Sequence, residues 1–149
     1  MVQGRDVTTH AGEAMLDDEP AKAKRIERLA RLGGETATSV GAPPDRVEDF
    51  LTHYFRHVDA DDVIERSSHD LLGLVSHHYR LAQQRPDATP AIAVLAPNLG
   101  LDGWTADGAT VCQIVNDDQT FLVASVTMKV VRQGWGIREV FHPRFAFRP

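Results

Sequence analysis

The sequence predicts an α+β domain in which a helical first half packs on a small sheet in the second half. Apolar residues recur at helical spacing between residues 45 and 84. Short β-branched runs follow at Ala91–Leu95 and Val111–Val115, and a third alternating run starts at Ile137. A chain of 149 residues, 42% hydrophobic and 25% charged, is sized for about one folded domain.

Residues 1–44 are predicted to form a flexible arm with one basic amphipathic helix, at about residues 20–32, and a linker. Pro20 suits the start of this helix, and Gly33 and Gly34 suit its end. The basic positions indicate either a solvated helix face or a helix that docks on an acidic partner surface. These positions are Lys22, Lys24, Arg25, Arg28 and Arg31.

The folded domain is predicted to span residues 45–149 and to begin with three helices. Asp45, Asp59 and Ser68 are suited to cap these helices, and Pro86 is expected to end the third. The first helix should present a broad apolar face to the core. That face consists of Val47, Phe50, Leu51, Tyr54, Phe55 and Val58.

The second half is predicted to contain a βαβ unit. The strand Val111–Val115 has few polar positions, so we expect it to be central, with Cys112 as a small buried residue. A helix from about Thr120 to Gln133 follows, and a strand from Ile137 is expected to run parallel through a right-handed crossover. The helix should bury Phe121, Leu122, Val126 and Val130, with Met128 as a further candidate.

Such a unit leaves most of its sheet and helix faces uncovered. We therefore expect either that upstream residues cover them or that the domain continues beyond Pro149. An unpaired strand edge is also expected to favour association with another chain.

Composition excludes several classes of function. A net charge of −5, from 16 basic and 21 acidic residues, argues against broad nucleic-acid binding. The single cysteine excludes an internal disulfide framework and fits a reducing cytosol. No run reaches the roughly 18 apolar residues of a membrane span, and the N-terminus does not resemble a signal peptide. These absences predict a cytoplasmic protein without a membrane partner.

The candidate ligand site is the loop after the Val111–Val115 strand, because ligands of open α/β sheets bind at the carboxyl ends of strands. Amides in the first turn of the next helix could hold a carboxylate, and an aspartate could hold the ammonium group of an amino acid. Alternatively, Asp118 or Thr120 merely caps the helix and the rest of the loop is solvated. The candidate effector-binding residues are Asn116, Asp117, Asp118, Thr120, Phe121 and Leu122.

Other motifs give no catalytic, cofactor or metal site. His53 and His57 share a helix face, but zinc needs a third and usually a fourth ligand. Gly134 and Gly136 precede a strand rather than open a helix, which is the wrong order for a dinucleotide turn. The sequence therefore predicts no catalytic residue, no cofactor-binding residue and no metal ligand in this chain.

Long ordered matches between residues 47 and 147 carry a family resemblance. They include the upstream segment at 76–85 and, downstream, Asn116, Asp117, Asp118, Phe121, Leu122, Val123, Ser125, Val126, Thr127, Met128, Gly136, Ile137, His142 and Pro143. In these residues the chain resembles the N-terminal region of the very large bacterial NAD-dependent glutamate dehydrogenases. It departs at Thr120 and Ala124, where that family usually has proline and aspartate.

The resemblance implies an ACT-like module, a type that pairs with other copies and often binds amino acids between subunits. On this interpretation the chain is a non-catalytic regulatory and oligomerisation segment. Downstream domains of the full-length enzyme would bind NAD and convert glutamate to 2-oxoglutarate and ammonium. The implied partners are the rest of its own chain, a homo-oligomer and an amino-acid effector. The alternatives are a stand-alone amino-acid sensor and a scaffold that docks a partner through its arm from Pro20 to Leu32.

Overall fold

The computed structural model describes residues 19–33 and 47–145, which form an α+β arrangement of six helices and two strands. The fold class predicted from the sequence is therefore confirmed. The elements are α1 (19–33), α2 (Val47–Tyr54), α3 (Ala60–Ile64), α4 (Ser68–Gln84), β1 (Ala91–Leu95), α5 (Leu99–Asp102), β2 (Val111–Val115) and α6 (Leu122–Arg132). The predicted cap Asp45 lies outside the described residues.

The first four helices enclose the hydrophobic core. Of the apolar face predicted for the first helix, Leu51, Tyr54, Phe55 and Val58 are buried, and Phe50 is half-buried against the same cluster. Phe55 and Val58 lie just beyond the end of α2. α3 adds Val63 and α4 adds Leu71 and Val75 to the same cluster. At the start of α4 the cap is Ser67 rather than Ser68, and its hydroxyl accepts a hydrogen bond from the Asp70 amide.

The predicted basic helix is present as α1, and it is packed rather than detached. Ile26, Leu29 and Ala30 belong to the core cluster with α2, α3 and α4. Two of its cationic side chains also point inward, where Lys22 Nζ donates to the Val58 carbonyl at 2.6 Å and Arg25 donates to the Arg66 carbonyl at 2.7 Å. The solvated face is limited to the other basic positions, Lys24, Arg28 and Arg31.

The sheet consists of β1 and β2, which pair antiparallel with Ala93 opposite Gln113. Successive side chains of a strand point to opposite faces, and the register places two sets of residues on the two faces. The inner face lies toward α4 and contains Ala91, Ala93, Leu95, Val111, Gln113 and Val115. The outer face, called the open sheet face below, contains Ile92, Val94, Cys112 and Ile114.

The strand expected from Ile137 is not formed, and the parallel crossover was wrong in consequence. Residues 137–145 carry no strand assignment. The physical reason lies in the aromatic residues of this segment, because Phe141 and Phe145 pack against the helical core instead of a sheet. Arg66 on the helical side also forms an ion pair with Glu139. Pro143, which lacks an amide donor, would in any case interrupt a ladder.

Two burial predictions were also wrong. Cys112 is exposed, because β2 is an edge strand that α4 covers on one face only. α6 has no fully buried residue, and Phe121 is 77% exposed. Both results follow from the small size of the sheet. Two strands offer α6 little apolar surface to pack on, and the open sheet face itself stays exposed.

Candidate functional site

The candidate loop connects the end of β2 at Val115 to the start of α6 at Leu122, as the sequence predicted. Its candidate side chains from Asp117 to Phe121 are solvent-exposed, whereas Asn116 and Leu122 are half-buried. Phe121 occupies the left-handed region with φ of 63°, which bends the chain sharply into the helix. The loop is therefore an open surface feature at the carboxyl end of a strand.

The helix-capping alternative for this loop was wrong. The N-cap position of α6 is Phe121, and no side chain makes a capping hydrogen bond there. The Leu122 amide instead donates to the Gln119 carbonyl at 3.3 Å. Neither Asp118 nor Thr120 is therefore engaged in capping α6.

The two aspartates of the loop have different partners. Arg85, at the end of α4, donates to Asp117 Oδ1 at 2.6 Å and also to the Thr89 carbonyl at 2.6 Å. This Arg85 side chain is only 15% exposed, so it holds Asp117 in a defined position. Asp118 lies 3.9 Å from Arg144 Nε, with both side chains 71% exposed. Such an exposed pair contributes about 0–1 kcal/mol, so Asp118 is the more available carboxylate.

Behind the loop, a polar network joins β2 to α4 and α2. The side chain of Gln113 is buried on the inner sheet face, and its amide nitrogen donates to the Leu74 carbonyl at 2.9 Å. Its oxygen therefore accepts from His77 Nδ1, which lies at 2.6 Å. Sequence reasoning missed Gln113, although a polar residue at an inward position of an alternating strand indicates a buried hydrogen bond.

His78 extends this network to the helical core. Its Nε2 donates to the Ile114 carbonyl at 3.4 Å, which leaves Nδ1 to accept from the Tyr54 hydroxyl at 2.9 Å. Burial lowers the pKa of His78 below its ordinary value, the bond to Ile114 opposes this, and the charge of His77 adds to it. Burial also raises the pKa of Tyr54, so its phenol remains a donor. Through the neutral imidazole of His78, the network ties the end of β2, where the candidate loop begins, to α2.

The histidine pair His53 and His57 lines a cleft. His53 is in the last turn of α2, and His57 is in the turn that follows. Across the described residues, no three histidine, cysteine, aspartate or glutamate side chains are grouped so that they could hold a metal ion. The remaining lining residues of the cleft are Arg56, His142 and Arg144.

Apolar side chains remain exposed at two places on the second half of the chain, the open sheet face and α6 with the turn after it. On the open sheet face Ile92 is 62% exposed and Val94 is 68% exposed. Further exposed apolar residues on and after α6 are Phe121, Met128, Val131 and Trp135. Large exposed apolar surfaces are typical of protein interfaces. In the part of the chain that the structure describes, no helix is long and apolar enough to cross a membrane.

Comparisons with known proteins agree with the resemblance of the loop and helix. The family described as "Glutamate dehydrogenase, ACT1 domain" matches residues 50–148. The NAD-specific glutamate dehydrogenase of Pseudomonas aeruginosa is 28% identical over 88 residues, which are 59% of this chain and 5% of the relative. That of Halomonas elongata is 27% identical over 128 residues, which are 86% of this chain and 7% of the relative.

The chain thus spans only 5% and 7% of the lengths of these two relatives. No solved structure gives a significant match. The family match covers residues 50–148, which include β1, β2, α6 and the candidate loop. Because this match extends over more than half of the sequence, the chain belongs to the ACT1-domain family of glutamate dehydrogenases.

Proposed function

We propose that this chain is a non-catalytic regulatory and assembly segment of an NAD-dependent glutamate dehydrogenase. The oxidation of glutamate to 2-oxoglutarate and ammonium, with NAD as the cofactor, would be carried out by other domains of that enzyme. The observation that carries the proposal is the family match over residues 50–148. The names of the two relatives supply the reaction and the cofactor, and a cytoplasmic location is proposed with them.

The uncovered apolar surface supports the assembly part of the proposal. The open sheet face presents Ile92 and Val94, and α6 presents Met128 and Val131. Burial of apolar area stabilises association by about 25 cal/mol per Å² before the costs of association are subtracted. The proposed occupants of this surface are the rest of its own chain and a second copy of the segment.

The two-aspartate loop supports the regulatory part of the proposal. We propose that Asn116, Asp117, Asp118, Thr120, Phe121 and Leu122 form the binding loop for an amino-acid effector. Asp118 is the available carboxylate for the ammonium group, because Arg85 engages Asp117 at 2.6 Å. The first-turn amides of α6 that follow Leu122, at a helix start without a side-chain cap, would hold the effector carboxylate.

The decisive experiment on the enzyme compares the full-length natural protein with this chain alone. We expect glutamate-dependent formation of NADH by the full-length protein and none by the isolated chain. Removing residues 1–149 from the full-length protein should abolish its response to amino-acid effectors or its assembly. NADH production by the isolated chain would overturn the non-catalytic assignment.

A second experiment tests the effector loop. Titration calorimetry of the chain with single amino acids, glutamate among them, should give saturable binding in a fixed stoichiometry. Asp118→Ala should abolish that binding, while Asp49→Ala, which removes an exposed carboxylate from α2, should retain it. Absence of binding for all amino acids, or equal binding by Asp118→Ala, would leave assembly as the function of this segment.

A further inference from the structure

The cleft beside α2 gathers basic side chains from two distant parts of the sequence. It has a volume of about 400 Å³ and is lined by His53, Arg56, His57, His142 and Arg144. A space of this size lies within the range of small-molecule sites, about 300–1,000 Å³. Among the residues that the structure describes, the lining consists of arginine and histidine, which supply hydrogen-bond donors and the positive charge of two guanidinium groups.

The end of a helix explains only part of this composition. Cations are favourable near a helix C-terminus, where carbonyl groups carry partial negative charge. That effect accounts for His53, Arg56 and His57, which lie in the last turn of α2 or just beyond it. It does not account for His142 and Arg144, which the segment after α6 brings to the opposite wall.

The opposite wall is held in place by aromatic packing. The ring of Phe145 stacks on Phe50 with centroids 4.7 Å apart, and it lies 6.1 Å from the ring of His53. Phe141 contacts Phe55 edge to face, with centroids 6.4 Å apart. Because Phe141 and Phe145 flank His142 and Arg144 in the sequence, this packing places both side chains beside the end of α2. The aromatic packing thus holds the segment that forms this wall of the cleft against the helical core.

We infer that this cleft binds the phosphate group of a small phosphorylated ligand. Two guanidinium groups can each donate in a planar fork to phosphate oxygens, and the imidazoles add further donors. A multiply charged oxyanion uses several such donors together, whereas the single carboxylate of an amino acid needs only one fork. The inference stands on the cleft alone and does not depend on the amino-acid loop.

The cleft and the loop share one side chain. Arg144 lines the cleft and also lies 3.9 Å from Asp118 of the loop. Asp118 thus competes with a bound anion for Arg144. Removal of the Asp118 carboxylate should therefore tighten phosphate binding in the cleft. The same substitution should abolish amino-acid binding at the loop, so one variant tests the two proposals independently.

The test is a titration of the whole 149-residue chain with pyrophosphate and with inorganic phosphate at constant ionic strength, followed by calorimetry and by the histidine ring signals in NMR. We expect saturable binding with shifts at His53, His57 and His142. Arg56→Gln and Arg144→Gln should each weaken it about tenfold, the loss expected for one charge-assisted contact. Asp118→Ala should strengthen it.

Arg28→Gln is the matched control, because it removes an exposed arginine of α1 that does not line the cleft. It should leave the affinity unchanged. An equal loss in Arg28→Gln would show unspecific charge attraction and overturn the inference, as would the absence of saturable binding. If an arginine variant proves unfolded by circular dichroism, His57→Asn takes its place, since this exposed residue contributes nothing to the core. Unchanged affinity in folded His57→Asn would then count against the site.

Discussion

At the residue scale, a few side chains decide how the second half of the chain is attached to the first. Trp104 is buried against Gly73 of α4, and Gln113 is buried against the Leu74 carbonyl. His78 bridges Tyr54 and Ile114 in the same region. These contacts join elements that lie far apart in the sequence, so substitutions at these positions should affect the stability of the whole domain.

The close contact between Gly73 and Trp104 predicts that even a methyl group at position 73 destabilises the fold. A Cβ at position 73 would lie 2.5 Å from Trp104 Cδ1 and 2.6 Å from its Cβ, closer than packed atoms tolerate. Gly73→Ala should therefore destabilise the fold by about 1–3 kcal/mol through overpacking, as measured by urea unfolding. Gly136→Ala is the control, because a Cβ there meets open space. Equal unfolding midpoints for wild type and Gly73→Ala would contradict the packing described.

His78 predicts a dependence of stability on pH. Its folded-state pKa is lowered from 6.5, chiefly by burial, so the unfolded chain binds the proton more readily than the folded one. The free energy of unfolding should therefore decrease as the pH falls below 6.5 toward the lower folded pKa, and should level off above 6.5. Chemical denaturation at a series of pH values measures this slope.

The slope should shrink in His78→Gln, which cannot take up the proton. His69→Gln removes an exposed imidazole from the same helix and should retain the contribution of His78. A slope that is identical in His78→Gln and wild type would show that another group is responsible.

At the element scale, α1 shows how a charged helix becomes part of a core. Lys22 is only 4% exposed, and it shares its inward face with Ile26 and Leu29. These three residues follow helical spacing. The position of Lys22 on the apolar stripe of α1 was therefore the sequence signal that could have identified it as a buried lysine. Its methylene stem packs against the core, while its ammonium group reaches the Val58 carbonyl and lies 3.6 Å from Glu19.

Lys22→Met tests this role. The substitution keeps the apolar stem but leaves the Val58 carbonyl without its donor, so the domain should lose about 1–3 kcal/mol of stability. The matched variant Lys24→Met changes an exposed position of α1 and should have little effect. Thermal and urea unfolding distinguish the two variants, and equal stability of both would argue that α1 is not docked as described.

At the scale of the whole molecule, the apolar residues of the helical half are buried, whereas many of those in the sheet half are exposed to solvent. The core lies among α1, α2, α3 and α4, whereas the open sheet face and α6 present apolar side chains to solvent. This asymmetry supports the assembly role proposed above.

Self-association of the chain should depend on the open sheet face. Light scattering at increasing concentration should show association by the wild-type chain, because Ile92 and Val94 are more than half exposed on one surface. The double substitution Ile92→Ser and Val94→Ser should reduce it. Leu101→Ser removes an 88% exposed leucine that belongs to α5 and to neither strand, and it should not reduce association. A strictly monomeric wild-type chain at high concentration would contradict this prediction.

The sequence by itself determined most of the local elements of this protein. Helical spacing and breaker residues located α2 and α4, and the bounds of β1 and β2 agree with the β-branched runs. The loop between Val115 and Leu122 was also located correctly, because strand and helix signals meet there. Hydrophobic spacing and helix-breaking residues are patterns of only a few neighbouring residues, so a single sequence is enough to detect them.

Only the tertiary structure decided which elements meet. The alternation after Ile137 suggested a strand, but Phe141 and Phe145 gain more contact on the helical core than a narrow sheet offers. Arg85 and Arg144 reach the loop from positions 32 and 26 residues away from their aspartates, and no local pattern encodes such pairs. The cleft at the end of α2 has the same origin, since packing between distant segments brings its two walls together.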